Sequence, residues 1–323
     1  MTKPAKRSLA VALVLCLFAA WANAQTYPSR SIRIVVPLAA GGPGDILARA
    51  IGQKLAESVG QPIVIDNRPG ANTNIGTEAV AKSAPDGYTL LLTASTHTIN
   101  PSLYSKLPFD PIRDFAPVTL VGDTPLVMVL HPSVPATSVK AFIALAKSRP
   151  GQINYGSAGS GSTLHLAGEM FNSLAGVKMV HVPYKGVTQA VSDLLGGHLT
   201  LMFPGAPIAL PHARAGKLVA LATTGTRRTP AAPELPTVAE AGVPGFEVTV
   251  WYGVLAPAAT PQAVITRLHG ELVRIVQLPD IRERWATLGA DPLTNTPTEF
   301  AAFLKADIGK WAKVVKESGA KAD

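Results

Sequence analysis

Residues 32–45 read IRIVVPLAAGGPGD and contain the pattern on which the assignment of the fold class rests. The run 32–36 is rich in β-branched side chains and predicts a short strand. A loop rich in Gly and Pro follows from 37 to 44, and Asp45 opens a helical pattern that continues to Leu55. A strand that enters a helix through a tight glycine loop is typical of a parallel sheet covered by helices.

The same alternation recurs along the chain and predicts two similar α/β lobes. Further strands are expected at 63–65, 88–92, 126–130, 153–155, 179–182, 199–203 and 218–222, with helical stretches between them. After a return crossing near 246–255, helices are expected at 261–276, 281–288 and 298–318, the last of them amphipathic. The most economical division gives residues 25–124 and 247–323 to one lobe and residues 125–246 to the other.

The first 24 residues have the order of a cleaved secretory signal peptide. Three cations within the first seven residues precede an apolar run at 9–20. That run is shorter than the about 20 residues that span a bilayer. The small residues at 22–24 form a cleavage site, and we predict cleavage after Ala24. Cleavage would lower the formal charge from +8 to +5 and remove Cys16, the single cysteine.

The composition of the 323-residue chain excludes several classes of protein. With 47% hydrophobic and 15% charged residues, the chain is unlike a disordered one, and one cysteine cannot build a disulfide scaffold. Aromatic residues amount to 6%, and basic residues look scattered along the sequence, so nucleic-acid binding is not expected. The moderate excess of basic over acidic residues favours the attraction of anionic ligands instead.

Two loops rich in glycine are the strongest candidates for a ligand site. The first loop covers residues 37–45 and the second loop covers residues 155–163. Each follows a predicted strand and opens a predicted helix, whose N-terminus offers unpaired N–H donors and partial positive charge. Across a cleft, the loops would hold an anion through these donors and through the hydroxyls of Ser157, Ser160, Ser162 and Thr163. For either loop alone, a merely tight turn is the alternative.

No motif for catalysis or for a cofactor is complete. Neither loop has the third glycine of a dinucleotide-binding turn, no Walker A lysine is present, and no G-x-S-x-G elbow surrounds a loop serine. The seven histidines show no i, i+4 pairing, so we predict no metal site and no cofactor. His165 either reaches a bound carboxylate or packs locally. Asp45 is either a helix N-cap or an acceptor for a ligand hydroxyl or amine.

Seven longer motifs follow one another over the mature chain: DNRPGA at 66–71, APDGYTL at 84–90, INPSLY at 99–104, NYGS at 154–157, HLAGE at 165–169, HVPYKG at 181–186 and LPTVAEAG at 235–242. With these motifs in this order, the chain resembles the Bug family of periplasmic solute-binding proteins, also called the tripartite tricarboxylate transporter receptor family. The resemblance implies a type II periplasmic binding fold. In that fold two lobes, each with a mixed sheet flanked by helices, are joined by a two-strand hinge and close around a ligand.

The resemblance also places the ligand contacts. They fall on Leu38, Ala39, Ala40, Gly41, Gly42, Asp45, Ser95, Thr96, His97, Ser157, Ala158, Gly159, Ser160, Gly161, Ser162, Thr163, His165 and Pro204. Two positions depart from the family pattern: Leu38 stands where Phe or Tyr is usual, and Pro204 stands where the family has an acid. An amino-acid ligand needs a carboxylate near its ammonium group, so Pro204 favours a di- or tricarboxylate or an aromatic carboxylate.

We therefore expect a monomeric periplasmic receptor, not an enzyme, that closes around a small organic carboxylate. Its expected partner is a membrane permease of the tripartite tricarboxylate type. The alternatives are a carboxylate sensor for a signalling system and a binding protein for aspartate or glutamate. A secreted serine hydrolase with His165 as its base is a further alternative, although no elbow motif supports it.

Overall fold

The computed structural model describes residues 27–321, which form two five-stranded sheets with helices on their faces. The predicted signal peptide lies outside the described residues. The strands are β1 (Ile32–Val36), β2 (Ile63–Asn67), β3 (Thr89–Ala94), β4 (Phe115–Pro125), β5 (Val127–Leu130), β6 (Ile153–Ser157), β7 (Met179–Pro183), β8 (Leu201–Met202), β9 (Val219–Thr223) and β10 (Thr249–Pro257). The helices are α1 (Pro43–Val59), α2 (Asn74–Ala81), α3 (Thr96–Leu103), α4 (Val139–Ser148), α5 (Thr163–Ala175), α6 (Val187–Leu195), α7 (Ala206–Arg214), α8 (Gln262–Val276), α9 (Pro279–Thr287) and α10 (Pro297–Ser318).

The two sheets share one topology. The first has the order β2-β1-β3-β10-β4 and the second has the order β7-β6-β8-β5-β9. In each sheet the first three strands are parallel, and the fourth strand runs antiparallel to both of its neighbours. The prediction of two similar α/β lobes with mixed sheets is confirmed. We call the two sheets, each with its covering helices, the first lobe and the second lobe.

Two chain segments cross between the sheets, and Thr224 ties them together. Leu126 separates β4 from β5, and residues 224–248 lead from β9 to β10. The Thr224 N–H donates to the Leu126 carbonyl (2.9 Å), and the Thr224 hydroxyl accepts from the Leu126 N–H (2.8 Å). The Val248 N–H donates to the Thr224 carbonyl (2.9 Å). Because Thr224 is fully buried, water does not compete for these bonds, and the crossings form the expected two-strand hinge.

The C-terminal helix α10 packs on both lobes. Its first half places Phe300 and Leu304 in the apolar core that covers one face of the first sheet. Its second half places Trp311 and Val314 in the core of the second lobe, in the same cluster as Phe171. The expected amphipathic helix is therefore present, and its apolar stripe joins the two lobes outside the hinge.

Most predicted elements are present with shifted ends. The first helix, α1, begins at Pro43 rather than at Asp45, because proline suits the first turn of a helix and Gly42 takes the N-cap position. The strand expected at 199–203 is reduced to Leu201–Met202, since Pro204 lacks an N–H for a sheet ladder. Neither β4 nor α3 is indicated by the sequence pattern.

Candidate functional site

The carboxyl ends of the parallel strands in the two lobes meet. In the first lobe, β1 leads into the first loop and β3 ends just before Ser95; in the second lobe, β6 leads into the second loop. The hydroxyl oxygens of Ser95 and Thr163 lie 3.4 Å apart although they belong to different lobes. A Cβ built on Gly161 would lie 2.7 Å from Cδ1 of Leu103 in α3. The two loops therefore border one cleft, at the sheet edge where open α/β folds bind ligands.

The N–H groups of Gly41 and Gly42 in the first loop are engaged within the loop itself. Gly41 has φ +80° and donates its N–H to Asp45 Oδ2 (2.8 Å), and Gly42 donates to the Ala39 carbonyl (3.3 Å). Ala39 and Ala40 are exposed, and their N–H groups have no hydrogen-bond partner within the described residues. The donors that this loop offers to a ligand are therefore alanine N–H groups, while the glycines shape the turn.

Asp45 is a buried carboxylate with one free oxygen. It is 3% exposed, and its Oδ2 accepts from the Gly41 N–H and from Arg49 Nε (3.0 Å). Burial acts to raise the pKa of Asp45, but the hydrogen bonds from Arg49 and Gly41 outweigh burial and hold the pKa below its usual value. Oδ1 is also buried and has no partner within residues 27–321. Asp45 occupies the third position of α1, and Oδ1 is free to accept a hydrogen bond.

Two hydroxyls of the second loop hold that loop in shape. Ser157 is fully buried; its Oγ lies 2.6 Å from His181 Nε2 and accepts the Gly159 N–H (3.1 Å). The Ser162 hydroxyl donates to the Gly159 carbonyl (2.7 Å) and caps α5 by accepting the His165 N–H (3.3 Å). Both side chains are therefore engaged inside the loop, and their predicted ligand contacts stay predictions.

A smaller set of donors on the second loop is unpartnered. The Gly161 N–H donates to His165 Nδ1 (3.0 Å). The N–H groups of Ala158, Ser160 and Thr163 have no hydrogen-bond partner in the part of the chain that the structure describes. Thr163 begins the 13-residue helix α5, so its N–H adds the partial positive charge of a helix N-terminus. These groups can bind an anion without rearrangement of the loop.

Two stacked histidines pack against the second loop. The ring centroids of His165 and His181 are 3.7 Å apart, and the planes are nearly parallel. Burial lowers the pKa of both rings to about 4, and for His165 the neighbouring His181 is a second cause. The Tyr155 ring packs on His181, and its hydroxyl donates to Glu169 (2.5 Å). His165 is therefore neutral near pH 7 and packs locally, and its contact with a bound carboxylate stays a prediction.

The other polar contacts predicted from the first lobe are held by neighbours. His97 is 1% exposed; its ring packs edge-on against Phe115, and its Nε2 lies 2.9 Å from the Pro111 carbonyl oxygen. Burial lowers the pKa of His97 to about 4. The Thr96 hydroxyl lies 3.0 Å from the Thr73 hydroxyl. These contacts give both side chains a packing role, and a ligand contact stays a prediction for each.

The two positions that depart from the family pattern are apolar and packed. Leu38 contacts Gly44 and joins the first-lobe core that contains Tyr252. Pro204 is buried at the end of β8, and its carbonyl accepts the Val127 N–H (2.9 Å) beside the hinge. Asp45 is consequently the one charged side chain among the predicted contacts. An anion in the cleft would be held by N–H groups and hydroxyls.

Residues 27–321 offer neither a metal site nor a membrane span. No group of three or more His, Cys, Asp or Glu side chains among them could hold a metal ion. None of their helices is long and apolar enough to cross a bilayer.

The chain is similar to one family of known proteins over most of its length. Residues 47–320 match the model of the tripartite tricarboxylate transporter family receptor. The chain is 41% identical to protein BugT of Bordetella pertussis over 305 residues, which cover 94% of each chain. It is 36% identical to Rpa4515 of R. palustris, solved with adipate, with a TM-score of 0.78 over 91% of this chain and 99% of that one. It is 33% identical to MatC of Rhodopseudomonas palustris, solved with bound malate, with a TM-score of 0.74 over 90% of this chain and all of that one.

Proposed function

This chain belongs to the tripartite tricarboxylate transporter receptor family, and we propose that it is a periplasmic receptor that traps a small organic carboxylate between its lobes. One observation carries the proposal: the two loops that border the cleft offer unpartnered N–H groups from both lobes. These belong to Ala39, Ala40, Ala158, Ser160 and Thr163. Donors of this kind suit a carboxylate, because each N–H carries partial positive charge and no cationic side chain is required.

The proposed ligand class is a di- or tricarboxylate with an aliphatic chain. Adipate and malate, which were found with two of the relatives, are both dicarboxylates. Apolar Leu38 suits methylene groups, and Pro204 leaves no acid there to pair with an ammonium group. The free oxygen of Asp45 is an acceptor for a ligand hydroxyl, as in a hydroxy acid, or for an amine. Aspartate and glutamate therefore belong in any ligand panel as the alternative.

Closure of the hinge is the proposed binding mechanism. The unpartnered donors are divided between the lobes, so a carboxylate can contact all of them only when the lobes approach. A ligand that binds the closed state better shifts the population toward it. The closed receptor would then deliver its ligand to a membrane permease or report it to a sensor.

A secreted serine hydrolase is the second candidate, favoured by the 2.6 Å distance between Ser157 Oγ and His181 Nε2. A nucleophile must be reachable by its substrate, and Ser157 is fully buried. Its Oγ also accepts the Gly159 N–H, which holds it in the loop. Incubation with ester substrates separates the two functions: we expect every ester to be recovered intact.

A thermal-shift screen tests the receptor proposal. The chain from Gln25 onward would be screened against adipate, malate, citrate, succinate, aspartate, glutamate and an aromatic acid, each beside its amide. A ligand at one hundred times its Kd stabilises by about 2.7 kcal/mol, which raises Tm visibly. We expect a shift with at least one acid and none with its amide. Indifference to every acid, repeated after unfolding and refolding to release any retained ligand, would refute the proposal.

A matched pair of variants tests the second loop as the binding site. Gly159 has φ +122°, so Gly159→Asp and Gly159→Asn introduce similar backbone strain and differ in charge. We expect Gly159→Asp to bind the acid at least about 10-fold more weakly than Gly159→Asn, because a carboxylate would stand beside the ligand anion. Equal affinity of the two variants in calorimetry would place the ligand elsewhere.

A further inference from the structure

Three consecutive residues other than glycine take left-handed backbone in the first lobe. Ala71 has φ +45°, Asn72 has φ +49° and Thr73 has φ +79°. Asparagine tolerates this region, but threonine is branched at Cβ and is a genuine outlier there. In the part of the chain that the structure describes, the one other residue of this kind is Ala259. Backbone outliers that persist in a folded protein cluster at ligand sites, so residues 71–73 point to a function.

The left-handed segment lies at the edge of the first sheet that borders the cleft. It follows β2, whose carboxyl end lies beside that of β1 because the two strands are parallel. The Thr73 hydroxyl oxygen lies 3.0 Å from that of Thr96 at the start of α3. Thr96 follows Ser95, whose hydroxyl meets that of Thr163 in the second lobe. Residues 68–73 therefore form a third loop beside the place where the two lobes meet.

Side-chain hydrogen bonds hold the strained segment in place. Asn100 of α3 is 1% exposed, and its Nδ2 donates to the Asn72 carbonyl (2.7 Å) and to Asn74 Oδ1 (2.7 Å). The Thr77 hydroxyl donates to the Thr73 carbonyl (2.9 Å). These bonds satisfy the backbone carbonyls of both residues and restrict their dihedral angles. The segment is therefore held in a conformation that its own residues disfavour, with the Thr73 hydroxyl beside α3.

Burial of Thr73 fixes the direction of the hydrogen bond between the two hydroxyls. Thr73 is 6% exposed, and Thr96 Oγ1 is the one hydrogen-bond partner of its hydroxyl among residues 27–321. An unpaired buried donor costs free energy, so Thr73 donates and Thr96 accepts. The Thr96 hydroxyl proton then has no acceptor within these residues, and Thr96 is half-buried. A hydroxyl that accepts one hydrogen bond donates the next more strongly.

We propose that Thr73 positions the Thr96 hydroxyl to donate to a carboxylate oxygen of the ligand. An ionised carboxylate only accepts hydrogen bonds, so it matches a hydroxyl whose proton is unpaired. Thr96 is the contact, and Thr73 is a positioning residue that acts through it. The inference rests on the proposed function, and it adds a side-chain donor of the first lobe to the N–H groups of the two loops.

Calorimetry of single variants with adipate, malate, succinate and citrate tests the role of Thr73. Thr73→Val removes the hydroxyl and keeps the branched shape, whereas Thr73→Ser keeps the hydroxyl. Thr96→Val removes the proposed contact itself. Urea unfolding measures the stability of each variant. Thr73→Ala, which lacks both the hydroxyl and the branch, replaces Thr73→Val if the valine prevents folding.

Thr260→Val is the matched control in the same lobe. Thr260 is 7% exposed and follows the left-handed Ala259, and its hydroxyl donates to the Pro257 carbonyl (2.7 Å). It lies after β10, which runs antiparallel to β3, so it is at the end of the sheet away from the cleft. This variant therefore loses a buried hydroxyl beside a left-handed residue without affecting the cleft.

We expect Thr73→Val and Thr96→Val each to raise Kd about 10-fold for the acids that the wild type binds, since a hydrogen bond to a charged group is weakened or lost. Thr73→Ser and Thr260→Val should keep the affinity of the wild type. Because Thr73 acts through Thr96, the double variant Thr73→Val/Thr96→Val should bind no more weakly than Thr96→Val alone.

Three results would overturn the role of Thr73. They are unchanged affinity in Thr73→Val, equal loss in Thr73→Val and Thr73→Ser, and additive losses in the double variant. A loss in Thr260→Val as large as that in Thr73→Val would also overturn it, because affinity would then follow stability rather than position. If the wild type binds none of the four acids, the proposed ligand class is wrong and this inference falls with it.

Discussion

Replacing Gly161 with alanine should weaken carboxylate binding through a contact between the lobes. Gly161 has φ +76°, and a Cβ at this position would lie 2.7 Å from Cδ1 of Leu103 across the cleft. The backbone strain is present whether the lobes are open or closed, so it lowers stability. We expect the clash with Leu103, which lies between α3 and the second loop, to oppose closure and to lower affinity.

The loss of stability from backbone strain and the loss of affinity from the clash can be measured separately. Left-handed backbone costs an alanine roughly 1–2 kcal/mol, and an added methyl group in a packed contact costs roughly 1–3 kcal/mol. With about 2 kcal/mol acting on closure, Kd should rise about 30-fold. Gly176→Ala is the matched control, because Gly176 has φ +63° and open space around its Cβ position. It should lose similar stability and keep the affinity of the wild type.

Calorimetry with the acid found in the screen measures the affinity of each variant, and urea unfolding measures its stability. Leu103→Ala removes the clashing methyl group, so the double variant Gly161→Ala/Leu103→Ala should bind better than Gly161→Ala although it unfolds more easily. If Gly161→Ala binds as tightly as Gly176→Ala, the lobes do not meet at this contact when ligand is bound, and the closure mechanism as described is refuted.

Three further predictions concern stability. Asp307→Asn should lower the free energy of unfolding by about 2–3 kcal/mol in urea titration, because the buried Asp307 carboxylate accepts from Thr98 (2.6 Å) and Trp251 (3.0 Å) and pairs with Lys310 (2.7 Å). Burial and the neighbouring Asp291 raise the pKa of Asp123 to about 6, so the folded state holds this proton more tightly than the unfolded chain, and the stability from Asp123 falls as pH rises from about 4 to 6. Asp123→Asn should therefore melt above the wild type at pH 8 and match it near pH 4; equal melting at pH 8 would contradict the assignment. The rings of His97, His165 and His181 have pKa values lowered to about 4, so their contribution is lost as pH falls from 6.5 toward 4, and NMR titration should find them neutral at pH 5.5.

The pattern of apolar and turn residues in the sequence predicts most of the fold. It does not predict the strand and the helix that form through contacts with distant parts of the chain. The runs at β1 and β3 are β-branched or apolar and are flanked by turns, so local pattern suffices. β4 contains Pro117, Gly122 and Pro125, which oppose a strand assignment, and it forms because β10 pairs along its whole length with two register shifts. α3 has eight residues with Pro101 inside, and it is held by the bond from Thr98 to Asp307.

The two loops that border the cleft could be predicted from the sequence, whereas the hydrogen bonds within them could not. Glycine loops between strand and helix locate both walls of the cleft. Which N–H groups are unpartnered depends on contacts that no local pattern reveals. Ser157 meets His181 because β6 and β7 pair in parallel with Ser157 opposite Pro183, and Gly161 meets His165 because the loop folds back on α5. The predicted ligand contact at Ser157 follows from its hydroxyl in the second loop, and that at His97 follows from the family resemblance. The burial that disfavours both contacts follows from tertiary packing.

The path of α10 has a consequence for the order in which the chain can fold. The core of the second lobe, formed largely by residues 126–248, also contains Trp311 and Val315 from the last turns of the protein. The first sheet likewise needs β10, which is made after the whole second lobe. Neither lobe can complete its core until nearly the whole chain has been made, and contacts between distant parts of a chain slow folding. We therefore expect both lobes to reach their native state only after synthesis of the chain is nearly complete.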